Sequence, residues 1–249
     1  MIIMSNKVAL ITGGASGLGK AIARFLASKQ INVIINYNTS KNSAIALKEE
    51  LEKSYQVKVL LVKCDISKED EVNNMIEEIK DNFSHIDYLV NNAAICLDSL
   101  YDDKTKENFM KTLEVNVVGT FLVSKLVGDM MYQNKSGSVV NISSTNGINK
   151  YFPMSLDYDA SKAALNSLTH NLALEYAPFV RVNAIAPGWV KTENEMKDLD
   201  SDYIASEEEK IFIRRFAEEE EIAKIVYFLL SDDASYINNQ IIVADGGTY

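Results

Sequence analysis

Tyr158 and Lys162 lie four residues apart in a stretch whose apolar spacing predicts a helix, so both side chains project from one face. An isolated tyrosine titrates near pH 10 and is a poor base at neutral pH. An ammonium beside it favours the phenolate, which lets Tyr158 exchange a proton with an alcohol oxygen. A tyrosine and a lysine at this spacing also arise by chance, so their neighbours matter. Asn141-Ile142-Ser143-Ser144 ends an apolar run fourteen residues earlier, and Ser144 can reach the same site and donate to a substrate oxygen. Asn91-Asn92-Ala93-Ala94 ends another such run. Asn116 interrupts an apolar helical stretch, where an amide is either a capped core group or part of a polar relay.

Four of the eleven glycines fall within Thr12-Gly13-Gly14-Ala15-Ser16-Gly17-Leu18-Gly19, between a short apolar run and a helical one. Backbone N–H groups and the positive end of a helix face outward there with no Cβ in the way, which suits a dinucleotide pyrophosphate. The spacing is TGxxxGxG, one residue wider than the common glycine fingerprint. At the end of the second predicted strand, a carboxylate would accept from a ribose 2′-OH and select NAD. Here the stretch is Asn36-Tyr37-Asn38-Thr39-Ser40-Lys41, with amides, hydroxyls and an ammonium. Asn36 and Asn38 are therefore candidate contacts for NADP(H), the preferred cofactor, with NAD(H) as the lesser possibility. A cationic nicotinamide ring would pull the Tyr158 proton affinity down further.

These residues need a frame, and the 249-residue chain supplies one by alternation. Apolar runs at 7–12, 31–37, 57–62, 88–90, 138–142, 180–184 and 241–243 are separated by amphipathic stretches of a dozen residues or more. The two longest are predicted as helices over 110–133 and 155–177. Strands alternating with helices predict βαβ units and a doubly wound parallel sheet in one α/β domain over 1–249. No repeat, linker or low-complexity tract divides it.

The net charge of −10 disfavours a nucleic-acid partner. Most of it lies between Glu193 and Glu221, with twelve acids against four bases, read as a solvated helical surface. Cys64 and Cys96 have no partners at disulfide or zinc spacing, so no metal site is expected and a reducing, cytoplasmic setting is. No run approaches the roughly 18 apolar residues of a membrane span.

Taken in order, the TGxxxGxG turn, NNAA, Asn116, Ser144, YxxxK, Pro187-Gly188 and Asp245-Gly246-Gly247 resemble the short-chain dehydrogenase/reductase family over nearly the whole chain. Within it the likeness is greatest to 3-oxoacyl-[acyl-carrier-protein] reductase-like and glucose-dehydrogenase-like members. The resemblance implies a Rossmann-type sheet of about seven strands with helices on both faces. It implies a tetrad of Asn116, Ser144, Tyr158 and Lys162: Tyr158 the acid/base, Ser144 holding the substrate oxygen, Lys162 lowering the tyrosine pKa and binding the ribose, and Asn116 anchoring a water relay. It implies that Asp65 and Ile66 flank the adenine and that Asn92, Val190 and Thr192 meet the nicotinamide half. A segment at about 190–215 would cover a small-molecule substrate.

Two departures stand out: Asn239 where the family often has glycine, and a short turn, Tyr176-Ala177-Pro178-Phe179, after the Tyr158 helix. His85, His170, Met130, Met131 and Met154 read as structural or solvated, and Trp189 equally as pocket wall or core. Apolar residues on more than one face of the two long helices (Val117, Phe121, Leu126; Ala164, Leu168, Leu172) call for a partner besides the sheet, and the resemblance implies that it is the same helices of another subunit, in a homodimer or homotetramer. A non-catalytic dinucleotide-binding regulator is the rival reading, and it needs neither Ser144 nor Tyr158. Carrier proteins are acidic. Asp129 and Leu174 stand where the carrier-protein reductases hold basic residues, leaving Lys125, Lys135 and Arg181 as a smaller basic patch.

Overall fold

A computed structural model describes residues 7–248. The elements run β1 (Val8–Ile11), α1 (Gly17–Ser28), β2 (Asn32–Tyr37), α2 (Lys41–Tyr55), β3 (Val59–Lys63), α3 (Glu69–Asn82) and β4 (Tyr88–Asn91). They continue with α4 (Lys106–Leu113), α5 (Thr120–Gln133), β5 (Gly137–Ile142), α6 (Leu156–Glu175), β6 (Val180–Pro187), α7 (Glu193–Asp198), α8 (Ser201–Glu208), α9 (Glu219–Leu230) and β7 (Ile241–Ala244). The seven strands form one parallel sheet in the order β3-β2-β1-β4-β5-β6-β7. Each strand falls on an apolar run read from the sequence.

A parallel sheet must be covered on both faces, which is why its strands are apolar throughout rather than alternating. One face packs on α1, α2 and α9 through Ile22, Leu26, Leu47, Leu51, Val226 and Leu229. The other packs on α3, α5 and α6 through Val72, Met75, Ile79, Val123, Val127 and Leu172. The strand order reverses between β1 and β4, and the crevice outside the strand carboxyl ends at that point is where such sheets bind ligands.

The stretch predicted as one helix over 110–133 begins earlier, at Lys106, and is widened by a π-helical turn at Glu114–Gly119. A Cβ on Gly119 would lie 2.8 Å from Cγ1 of Ile66, so this turn presses directly on the loop after β3. Single π turns inside helices concentrate at functional sites, and Asn116 occupies this one.

Two expectations are corrected by the packing, and one departure is explained. Leu126 and Leu168 pack against the chain's own core and Leu172 is buried within it, so they form no second stripe. Phe121 does face outward, and with it Met110, Val118, Tyr132, Leu156 and Leu174. Arg181 belongs to no surface patch: it donates to the carbonyls of Leu229, Leu230 and Ser231 at 2.7–3.0 Å and caps the carboxyl end of α9. Asn239 adopts φ 63°, the left-handed region asparagine tolerates next best after glycine, which accounts for its place in the turn before β7.

Candidate active site

The predicted site residues gather at the carboxyl ends of the strands. The glycine turn leaves β1 and enters α1 at Gly17, whose amino end carries no acidic residue. A Cβ on Gly19 would sit 2.4 Å from the Gly13 carbonyl oxygen and 2.5 Å from Nδ2 of Asn92, so only glycine lets the helix lie this close to the turn. Ser16 is exposed at the helix start and its hydroxyl makes no capping bond. Leu18 packs partly into the core below. An anion-accepting cradle results: free helix N–H groups, a favourable dipole and no side chain over them. The residues present fit a dinucleotide pyrophosphate.

Three residues read as cofactor contacts have side chains committed to building this cradle. Thr12 Oγ1 accepts from the amides of Asn92 and Ala93 at 3.0 and 3.1 Å. Asn92 Nδ2 donates to the carbonyls of Thr12 and Gly13 at 3.0 and 3.2 Å. Asn36 accepts from the Gly13 amide through Oδ1 and donates to the Cys64 carbonyl through Nδ2. All three lock β1, β2 and β4 together at the turn, which the sequence could not separate from direct contact. Asn38 is exposed at the end of β2, near the Asp65 carboxylate. Burial raises the Asp65 carboxyl, but hydrogen bonds from the Ser67 hydroxyl and amide outweigh it and hold the group below its ordinary value. Ile66 is buried beside Gly119.

Across the crevice, the loop after β5 meets the first turns of α6. Tyr158 and Ser144 face each other here, and Ser144 acts on the phenol. Desolvation, with Cys96 and Glu195 nearby, raises the Tyr158 phenol above its ordinary value, and Ser144 opposes this. Lys162 is buried; its Nζ donates to the Ile142 carbonyl at 2.7 Å and lies 5.2 Å from the centroid of the Tyr158 ring. Burial pushes its ammonium down to about 8. The Asn116 amide accepts from the Ile95 amide at 2.8 Å and donates to the Ile95 carbonyl and to Ser161 Oγ at 2.9 and 3.0 Å. Its side chain fixes Ile95 and Ser161, the residue before Lys162. Ser161, which sequence reasoning missed, lies within YxxxK and has only that position as its signal.

Beyond β6, Val190 is buried and bridges to Ala217. Thr192 caps α7 by accepting from the Glu195 amide, and a Cβ on Gly17 would lie 3.9 Å from it, so α7 lies against the glycine turn. Trp189 stacks on Phe216 at 5.3 Å and donates to Glu207 at 3.2 Å, which ties α8 to the end of β6. His85 pairs with Asp87 and His170 with Asn239, outside the crevice. Among the described residues no group of histidine, cysteine and acidic side chains could hold a metal, and no helix is long and apolar enough to cross a membrane.

Known proteins share this arrangement. The family model described as enoyl-(acyl carrier protein) reductase matches residues 13–249. The 3-oxoacyl-[acyl-carrier-protein] reductase FabG of Aquifex aeolicus is 39% identical over 250 residues, covering 100% of this chain and 99% of its own. Glucose 1-dehydrogenase 2 of Bacillus subtilis is 32% identical over 249 residues, 98% of this chain and 95% of its own. The crystal structure of NAD+-bound xylitol dehydrogenase superposes with a TM-score of 0.90 at 27% identity, covering 98% of this chain and 100% of that one.

Proposed function

The chain belongs to the short-chain dehydrogenase/reductase family and is an NAD(P)-dependent oxidoreductase of carbonyl and alcohol groups, and we propose that Tyr158 is its acid/base on a small carbonyl compound or polyol. The observation that carries this reading is the buried Lys162 ammonium 5.2 Å from the centroid of the Tyr158 ring, with Ser144 acting on the same phenol. Desolvation keeps the phenol protonated, so Tyr158 gives its proton to the carbonyl oxygen in reduction and takes one back from the alcohol in oxidation. Ser144 donates to the same oxygen and fixes its position. Lys162 sits close enough to stabilise the phenolate left behind and to bind a ribose hydroxyl. The nicotinamide, when bound, supplies or accepts the hydride. Asn116 holds Ile95 and Ser161 in register around this centre.

NADP(H) is the preferred cofactor in this reading, because the end of β2 offers Tyr37, Asn38 and Lys41 where a carboxylate would repel a 2′-phosphate. Residues 190–215, including α7 and α8, cover the substrate. Outward Met110, Val118, Phe121 and Leu156 support a homodimer or homotetramer through the long helices. The two unpaired cysteines suit a cytoplasmic enzyme.

A 3-oxoacyl group on acyl carrier protein is the second reading, favoured by the name of the Aquifex relative. The surface argues against it. Arg181 is spent on α9, Leu174 is exposed and apolar, and Asp129 accepts from Tyr176. The acidic segment over the site would repel an acidic partner. Comparing kcat/KM for a 3-oxoacyl group on carrier protein and on a small thioester decides between them. Similar values support the small-molecule reading; a much higher value on the protein, falling with salt, contradicts it.

A further inference from the structure

Lys104 and Asp157 are charged residues with no part in the chemistry above, yet both are buried. The Lys104 side chain is 7% exposed and that of Asp157 is 0% exposed. Lys104 Nζ donates to Asp157 Oδ1 at 2.8 Å and to the carbonyls of Leu97 and Met154 at 2.6 and 3.0 Å. The other carboxylate oxygen accepts from Thr112 Oγ1 at 2.7 Å. Every proton of the ammonium and both oxygens of the carboxylate are therefore engaged.

Their placement gives the pair a purpose. Asp157 precedes Tyr158 in the first turn of α6 and is held by α4 through Thr112. Lys104 ends the wall segment that begins at Ile95, which Asn116 holds from its other end. The same segment is stitched to the turn that leads into α6 by the Ser155 hydroxyl donating to Asp98 at 2.5 Å and by the Ser99 amide donating to the Met154 carbonyl at 3.2 Å. A buried ion pair contributes little net stability, whereas removing one partner leaves an uncompensated charge. We propose that Lys104 and Asp157 form a charge-matched pin that acts as one unit to position Tyr158, by fixing the first turn of α6 against the wall segment 95–104. Both are positioning residues: neither reaches the reacting atoms. The inference rests on the reading of Tyr158 as acid/base.

The test uses the full chain with Lys104→Met, Asp157→Asn, the double K104M/D157N and the milder Thr112→Val, assayed well below each thermal midpoint. A misplacement of about 1 Å can cost roughly a hundredfold in rate. Each single charge variant is expected to lose at least about tenfold in kcat with cofactor Kd changed less than twofold. Thr112→Val, which leaves the charges paired, is expected to lose only about two- to fivefold. The double variant restores a neutral, volume-matched pair and is expected to return kcat to within about threefold of the parent. Single variants at parental kcat would overturn the pin. So would a double variant no faster than its slower parent, or a loss in kcat matched by an equal loss in cofactor affinity. A normal parent whose single variants turn over at the parental rate sinks the pin and leaves the acid/base reading standing; a parent that turns over no carbonyl compound or alcohol sinks both.

Discussion

Replacing Lys162 with methionine should make the folded protein more stable at neutral pH while abolishing turnover. Burial holds the Lys162 ammonium at about 8 against an ordinary 10.5. At pH 7 the fold therefore carries a charged group it disfavours by about 3 kcal/mol, at 1.36 kcal/mol per pKa unit. Methionine removes that penalty and gives up the bond from Nζ to the Ile142 carbonyl, worth about 1 kcal/mol. A gain of about 2 kcal/mol remains, or roughly 4–8 °C in Tm for a chain of this size. The gain must also depend on pH. A lysine with a depressed folded pKa adds stability above its unfolded pKa and loses it as pH falls through the folded value. The parent therefore recovers between pH 8 and 10.5 as Lys162 deprotonates, and the methionine variant should lose its advantage by pH 10.5. Cys96, pushed up to about 12 by burial, and Tyr158, raised by desolvation, stay protonated across that window. Calorimetry of both proteins at pH 7 and 10.5 is the assay. A Tm difference that is unchanged between the two, or that grows with pH, would refute the reasoning.

Two further outcomes follow from the cofactor and assembly readings. Tyr37→Asp places a carboxylate at the end of β2 and should reverse the order of binding, so that NADPH binds better in the parent and NADH better in the variant; fluorescence titration of both cofactors checks it, with tighter NADH binding by the parent as the contrary result. Light scattering at micromolar concentration should show a dimer or tetramer, and a Phe121→Glu variant should weaken it, because Phe121 lies outward on α5 beside Val118; a monomeric parent would end that reading.

The strands were legible because both faces of a parallel sheet are buried, so each strand is a short apolar run with no competing pattern. Tyr158 and Lys162 were legible because four residues is one helical turn. Long-range bonding was not. Lys104 and Asp157 are 53 residues apart, and nothing local distinguishes them from solvated charges. Thr12, Asn36 and Asn92 stand where cofactor contacts belong, but only the folded backbone shows their side chains already spent on the turn. The π turn at 114–119 escaped because nothing in its own residues marks it, and the contact it makes, Gly119 against Ile66, lies on another element. Arg181 looked like a surface base for the same reason: its acceptors are carbonyls about 50 residues away.

The central claim is that the Tyr158 hydroxyl carries the proton, and Tyr158→Phe tests it while preserving the ring that lies over Lys162. Steady-state turnover of any carbonyl compound or alcohol the parent accepts, measured beside cofactor Kd, is the decisive pair of numbers. The account predicts a fall in kcat of about 10²–10⁴-fold with cofactor affinity changed less than about twofold. A phenylalanine variant that turns over within a few-fold of the parent would contradict it.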